Sequence, residues 1–109
     1  MAGTVSVVGI VATLAAVTLS LGVVGGAAIE AQRVAGIADA AALAAADAAS
    51  GAVPGEPCRQ AGRVAAAGDV QLNRCDLAGL VATITVGGAY GGVPFDARSR
   101  AGPPEAIAP

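Results

Sequence analysis

The chain has 109 residues, of which 55% are hydrophobic but only 2% aromatic and 13% charged, with a net charge of −2 and no histidine. So apolar a composition excludes a wholly disordered chain, and six arginines without a basic cluster give nucleic acid no electrostatic footprint. One Phe, one Tyr and no Trp leave little aromatic area for an ordinary core, which points to a small membrane or envelope protein.

The first charged side chain is Glu30, and residues 5–28 form an almost unbroken apolar run interrupted only by Ser6, Thr13, Thr18 and Ser20 among polar side chains. A helix of roughly 20 such residues crosses a bilayer core of about 30 Å, and Ser or Thr hydroxyls bond back to helix carbonyls. Residues 1–28 are therefore expected to be a transmembrane segment. The competing readings are a buried soluble helix and a cleaved signal peptide. The latter ordinarily carries a basic n-region and an apolar stretch of only roughly 7–15 residues, and neither is present. Within the span Ala12, Ala16 and Ser20 follow at four-residue steps and Gly22 and Gly26 form a GxxxG pair. Such small residues let two helices approach closely in lipid, although a chain so rich in Ala and Gly produces these spacings by chance as well.

The helical pattern continues through residues 29–50, which contain no Pro and are dominated by Ala, the best helix former. One rod on the order of 70 Å long is expected, with the part beyond the span forming a stalk. Steps of three and four sort Glu30, Arg33 and Val34 and then Ile37, Ala38, Ala41, Ala45 and Ala48 onto separate faces, leaving a narrow apolar seam of small side chains. Its complement is expected to be another subunit; the alternative is that the helix lies back on the C-terminal region of its own chain. Ser50, Gly51 and the prolines Pro54 and Pro57 end the rod.

Residues 51–87 are expected to form a small head. Pro57 suits the first turn of a short helix, Glu56 its positive end and Gly68 its stop. Residues 70–75 and 80–86 alternate at period two and read as two strands of an antiparallel hairpin, with Leu80, Ala82, Ile84 and Val86 on one face. Cys58 and Cys75 are too far apart for a CxxC motif, and without His a zinc site lacks ligands. A structural disulfide is the leading reading, which would place this region outside the cytosol; buried thiols and a reactive dithiol are the alternatives. Residues 88–109 are dense in Gly and Pro and are expected to be a mobile tail with at most a short strand near residues 90–95. Arg98 and Arg100 are its local pair of positive charges, read as a solvated end or a contact to anionic lipid or a partner.

Nothing in the chain suggests catalysis. There is no His, no nucleophile beside a base and no phosphate, dinucleotide or metal motif. Asp39 and Asp47 stand eight residues apart on a helix and read as solvent-facing or partner-facing charges. No enzyme activity, cofactor, metal or small-molecule substrate is expected.

The uncharged span followed by Gln32-Arg33-Val34-Ala35-Gly36-Ile37-Ala38-Asp39-Ala40-Ala41-Ala42-Leu43-Ala44-Ala45-Ala46 resembles the TadE/TadG-like proteins of tight-adherence (Flp) pilus systems. In that family an Arg precedes an Ala-Asp-x-Ala-Ala-Leu-Ala stretch, matched here by Arg33, Ala38, Asp39, Ala41, Ala42, Leu43 and Ala44. Cys58 with Arg63-Val64-Ala65-Ala66-Ala67, then Cys75, a strand and Ala97-Arg98-Ser99-Arg100-Ala101-Gly102-Pro103 looks like the short actinobacterial branch often encoded beside a secretion ATPase and a helicase. The resemblance implies a minor pilin-like subunit or assembly factor of a type IV pilus-related secretion or adhesion apparatus, with membrane lipid and other pilin-like subunits as partners. It departs from peptidase-processed pilins in one respect: counting from Gly3, the fifth position is Val8 rather than Glu. The expected architecture is α+β, a single-pass membrane protein with its C-terminal part outside the cytoplasm. The alternative is a small secreted disulfide protein with a cleaved N-terminal signal.

Overall fold

Alanine and the absence of proline carry one helix without interruption through two chemically different stretches. In a computed structural model, which describes residues 1–107, this helix, α1, spans Ala2–Ala49. It is followed by α2 (Pro57–Ala67), strands β1 (Gln71–Ala78), β2 (Val81–Tyr90) and β3 (Val93–Ala101), and a single turn α3 (Pro104–Ile107). The α+β class expected from the sequence is the one observed. Residues 1–30 and the residues from Ala31 onward form two separate compact units.

In the first unit the helix is apolar and almost wholly exposed, and it is long and apolar enough to cross a membrane. The hydroxyls of Ser6, Thr13, Thr18 and Ser20 are satisfied internally. Ser6 donates to the carbonyl of Ala2 (3.1 Å), and Thr13, Thr18 and Ser20 donate at 2.8 Å to those of Gly9, Leu14 and Ala16. Each closes onto the carbonyl four residues earlier, which hides the hydroxyl from an apolar surrounding.

The second unit is a two-layer head. The sheet is antiparallel throughout, in the order β1-β2-β3. β2 lies in the middle and sends Ala82, Ile84 and Val86 into the core, where they meet Val34, Ala38, Ala41, Ala42, Ala45 and Ala46 of α1 and Ala61 and Ala65 of α2. The small-residue seam of α1 is therefore covered by its own chain, which is the alternative weighed for it, and residues 31–49 belong to the head instead of forming a separate stalk. A helix faced with Ala approaches a sheet more closely than one faced with Leu, and the fit is tight: a Cβ on Gly88 of β2 would lie 2.8 Å from Cγ2 of Val34.

Both helix boundaries follow local chemistry. The α1 C-terminus turns at Gly51 (φ +81), and the Asp47 carbonyl accepts from the amides of Ala52 (2.9 Å) and Val53 (3.3 Å). At the start of α2, Pro57 occupies the first turn and Glu56 is the N-cap, its two carboxylate oxygens accepting from the amides of Cys58 (3.1 Å) and Arg59 (2.8 Å). Gly68 ends this helix, as its sequence position suggests.

The strands depart from expectation in extent and number. β1 and β2 run past the anticipated turn at residues 76–79 to meet at Gly79-Leu80, so Leu80 sits in the turn, partly exposed, and not on the core face. The segment expected to be mobile contains β3, paired with β2 along its whole length from Tyr90↔Val93 to Ala82↔Ala101. The cause is the two-residue connection Gly91-Gly92, both with positive φ (+58 and +80), the backbone a tight hairpin requires. The density of Gly read as disorder is a turn, and Phe95, Ala97, Ser99 and Ala101 alternate inward behind it.

Candidate functional site

Among the described residues there is no cluster of three or more potential metal ligands and no buried charged side chain. The features capable of function are a disulfide, the exposed apolar helix and the two outer surfaces of the head.

Cys58 and Cys75 are bonded, with their Cα atoms 5.9 Å apart. The bridge ties the first turn of α2 to the middle of β1, on the sheet face that also carries α1. The two cysteines are thus paired rather than buried free thiols. The half-buried pair, 17 residues apart in sequence, lies in a head whose largest fully buried side chains are Ile84, Val34 and Val86.

The residues of the pilin-like motif divide by burial. Ala38, Ala41 and Ala42 are fully buried against the head, Ala44 is half-buried, and Arg33, Asp39 and Leu43 lie on the exposed side. Arg33 donates from Nη1 to the carbonyl of Gly68 at 2.8 Å, holding α1 to the end of α2. Asp39 accepts from the hydroxyl of Ser99 on β3. Leu43 stays 57% exposed, which is not what a core leucine does. Close approach of α1 to the sheet thus accounts for the small residues of the motif, and Asp39 is used by Ser99, while the exposed Leu43 has no such role among the described residues.

In the first unit, Ala12, Ala16, Ser20 and Gly22 are all exposed and Gly26 is half-buried. Ala12, Ala16 and Ser20 share one side of the helix, but the Ser20 hydroxyl is already used by the Ala16 carbonyl. A packing stripe there would act through shape alone.

Two further surfaces were not foreseen because their residues are distant in sequence. Register sets Arg74 and Arg98 on either side of Thr85, and Asp76 and Arg100 on either side of Thr83, on the sheet face opposite the helices. On this face the Arg74 Nε lies 3.1 Å from Asp76 Oδ2, and Asn73 Nδ2 donates to Asp96 Oδ1 at 3.1 Å. The latter contact passes over Gly87, whose missing side chain leaves the room: a Cβ there would lie 2.5 Å from the Asn73 amide nitrogen. On the other side of the head, Leu43, Ala46, Asp47, Leu80 and Pro103 border a shallow concavity of about 210 Å³. Comparison with protein-family models, with curated proteins and with solved structures yields no match to this chain.

Proposed function

We propose that the chain is a membrane-anchored, non-enzymatic structural subunit, similar to the TadE/TadG-like minor pilins, that works in a type IV pilus-related secretion or adhesion apparatus. The observation that carries the reading is the first unit: a helix with apolar side chains exposed along its length and hydroxyls turned onto its own carbonyls. Water is a poor solvent for such a surface and lipid a good one. The disulfide supports an orientation with the head outside the cytoplasm. The motif at Arg33 to Ala44 supports the family, and pilin-like or secretion-apparatus subunits are the partners it implies, with no nucleic acid or small-molecule substrate.

Carbonate washing of membranes tests the anchor: the subunit stays in the pellet and is released by detergent. Thiol labelling of intact cells after addition of reductant tests orientation, since Cys58 and Cys75 then react without permeabilisation. Labelling confined to permeabilised cells would overturn it. Co-purification from detergent-solubilised membranes tests membership of a larger assembly.

A secreted head released by signal cleavage is the second reading, favoured by one observation. The buried core begins at Val34, so none of its members precedes residue 31. Mass measurement of the mature N-terminus separates the two, because cleavage near residues 27–31 with a soluble product would remove the anchored subunit.

A further inference from the structure

We propose that the open edge of β3 takes up an extended, acidic segment of a partner protein as a fourth strand of the sheet. This rests on the reading of the chain as a subunit and names the chemistry of a partner. The two edges of the sheet differ. At β1 a bulge at Asn73 breaks the register and α2 packs alongside, which makes that edge a poor template for another strand. β3 pairs with β2 in unbroken register from Val93 to Ala101, and no strand among the described residues lies on its other side.

The turn fixes which backbone groups are open. A two-residue turn makes Tyr90 and Val93 the first hydrogen-bonded pair, and bonded and non-bonded pairs then alternate along an antiparallel ladder. Pro94 falls in a non-bonded pair, as its missing amide requires. By the same alternation Phe95, Ala97, Ser99 and Ala101 bond to β2, whereas Asp96, Arg98 and Arg100 turn their amides and carbonyls to the open edge. Added strands gain affinity from such main-chain groups and specificity from side chains at alternate positions.

Charge selects the occupant. Arg98 and Arg100 are exposed on the outer face of the sheet and have no carboxylate partner among the described residues. A second copy of β3 laid antiparallel about Ser99 would set arginine against arginine, so the edge disfavours its own copy. A segment with acidic residues at every second position would instead meet both arginines with opposite charge. Its intervening residues would face the helix side of the sheet. There Ala97 and Ala101 are small and Asp39 is held by Ser99. One turn further along α1 the exposed Leu43 stands with Gly102 and Pro103 beside the end of β3. Apolar side chains at those positions would cover Leu43, and the recognised pattern is acid alternating with apolar.

The probe is a synthetic peptide of about seven residues, within the usual range of strands, with Glu and Val alternating and both ends uncharged. Its binding to the isotope-labelled full-length chain in micelles of a neutral detergent is followed by NMR, with hydrogen exchange read at each amide of β3. The expected result is saturable binding that slows exchange at Arg98 and Arg100 roughly tenfold or more and leaves Ala97 and Ser99 little changed. R98E/R100E should weaken binding about tenfold, since two cross-strand attractions become repulsions. Leu43→Ser, at an exposed position outside the core cluster, should weaken it as well. An intact disulfide and an unchanged circular dichroism spectrum show that both variants are folded.

No binding, equal or tighter binding of a peptide with Lys in place of Glu, or binding without protection at Arg98 and Arg100 would overturn the inference. So would protection of those two amides that rises with chain concentration in the absence of peptide, because the edge would then be filled by a second copy. Membrane extraction is read separately: an anchored chain that leaves the peptide unbound loses the fourth strand and keeps the proposed function, whereas a soluble chain that binds it does the reverse.

Discussion

Glycine positions in this head differ sharply in what a methyl group would meet, and they make the packing of α1 testable one residue at a time. At Gly88 a new Cβ would lie 2.8 Å from Val34 Cγ2 and 3.2 Å from Phe95 Cζ, both packed in the core. Gly88→Ala should therefore destabilise the head by about 1–3 kcal/mol, the usual cost of overpacking. Gly36 is the counterpart: it lies on the exposed line of α1 and a Cβ there meets nothing within 4 Å. Gly36→Ala should stabilise the helix by up to about 1 kcal/mol. Urea midpoints of the two variants, measured in the same detergent, should move in opposite directions. Equal shifts would mean that α1 does not rest on β2.

Secondary-structure elements this small are held by their ends and by the staple as much as by buried area. Glu56→Ala removes the acceptor for two amides at the start of α2 and should cost about 1 kcal/mol, while Glu56→Asp should keep most of the stability. Loss of the Cys58–Cys75 bond is larger: closing a loop of this length contributes about 3 kcal/mol in the chain-entropy account. The double variant C58S/C75S should lower the thermal midpoint well beyond the effect of Glu56→Ala, measured by circular dichroism at equal protein concentration. If reduction left the midpoint unchanged, the staple would be ornamental and the compartment inferred from it would lose its support. β3 belongs here too. Its pairing depends on Gly91 and Gly92, whose positive φ admits other residues only with strain.

The molecule as a whole combines a helix long and apolar enough to cross a membrane with a part that folds around its own core. Because the core starts at Val34, a chain lacking residues 1–30 should retain its disulfide and sheet, and should leave the membrane fraction. Circular dichroism of the shortened protein, with a fractionation assay beside it, checks both halves of that expectation. A head that unfolded on removal of the span would show that the two units depend on each other.

The residues alone were enough to determine the long apolar helix, both boundaries of α2, the inward run of Ala82, Ile84 and Val86, and the pair of cysteines. Each of these rests on local chemistry: hydropathy, capping, period-two alternation and spacing. What the tertiary structure decided is what those faces touch. The alanine seam reads equally well as a surface for another subunit or for the chain itself, because small side chains specify close approach and not a partner. It took the position of β2 to show that the partner is internal. The same holds for β3, where Gly91 and Gly92 are chemically fit for a flexible tail or a tight turn and only pairing with β2 selects the turn. The two outer surfaces lay furthest from view. Arg74, Arg98 and Arg100 come to share one face of the sheet through strand register, and register is a property of the folded sheet.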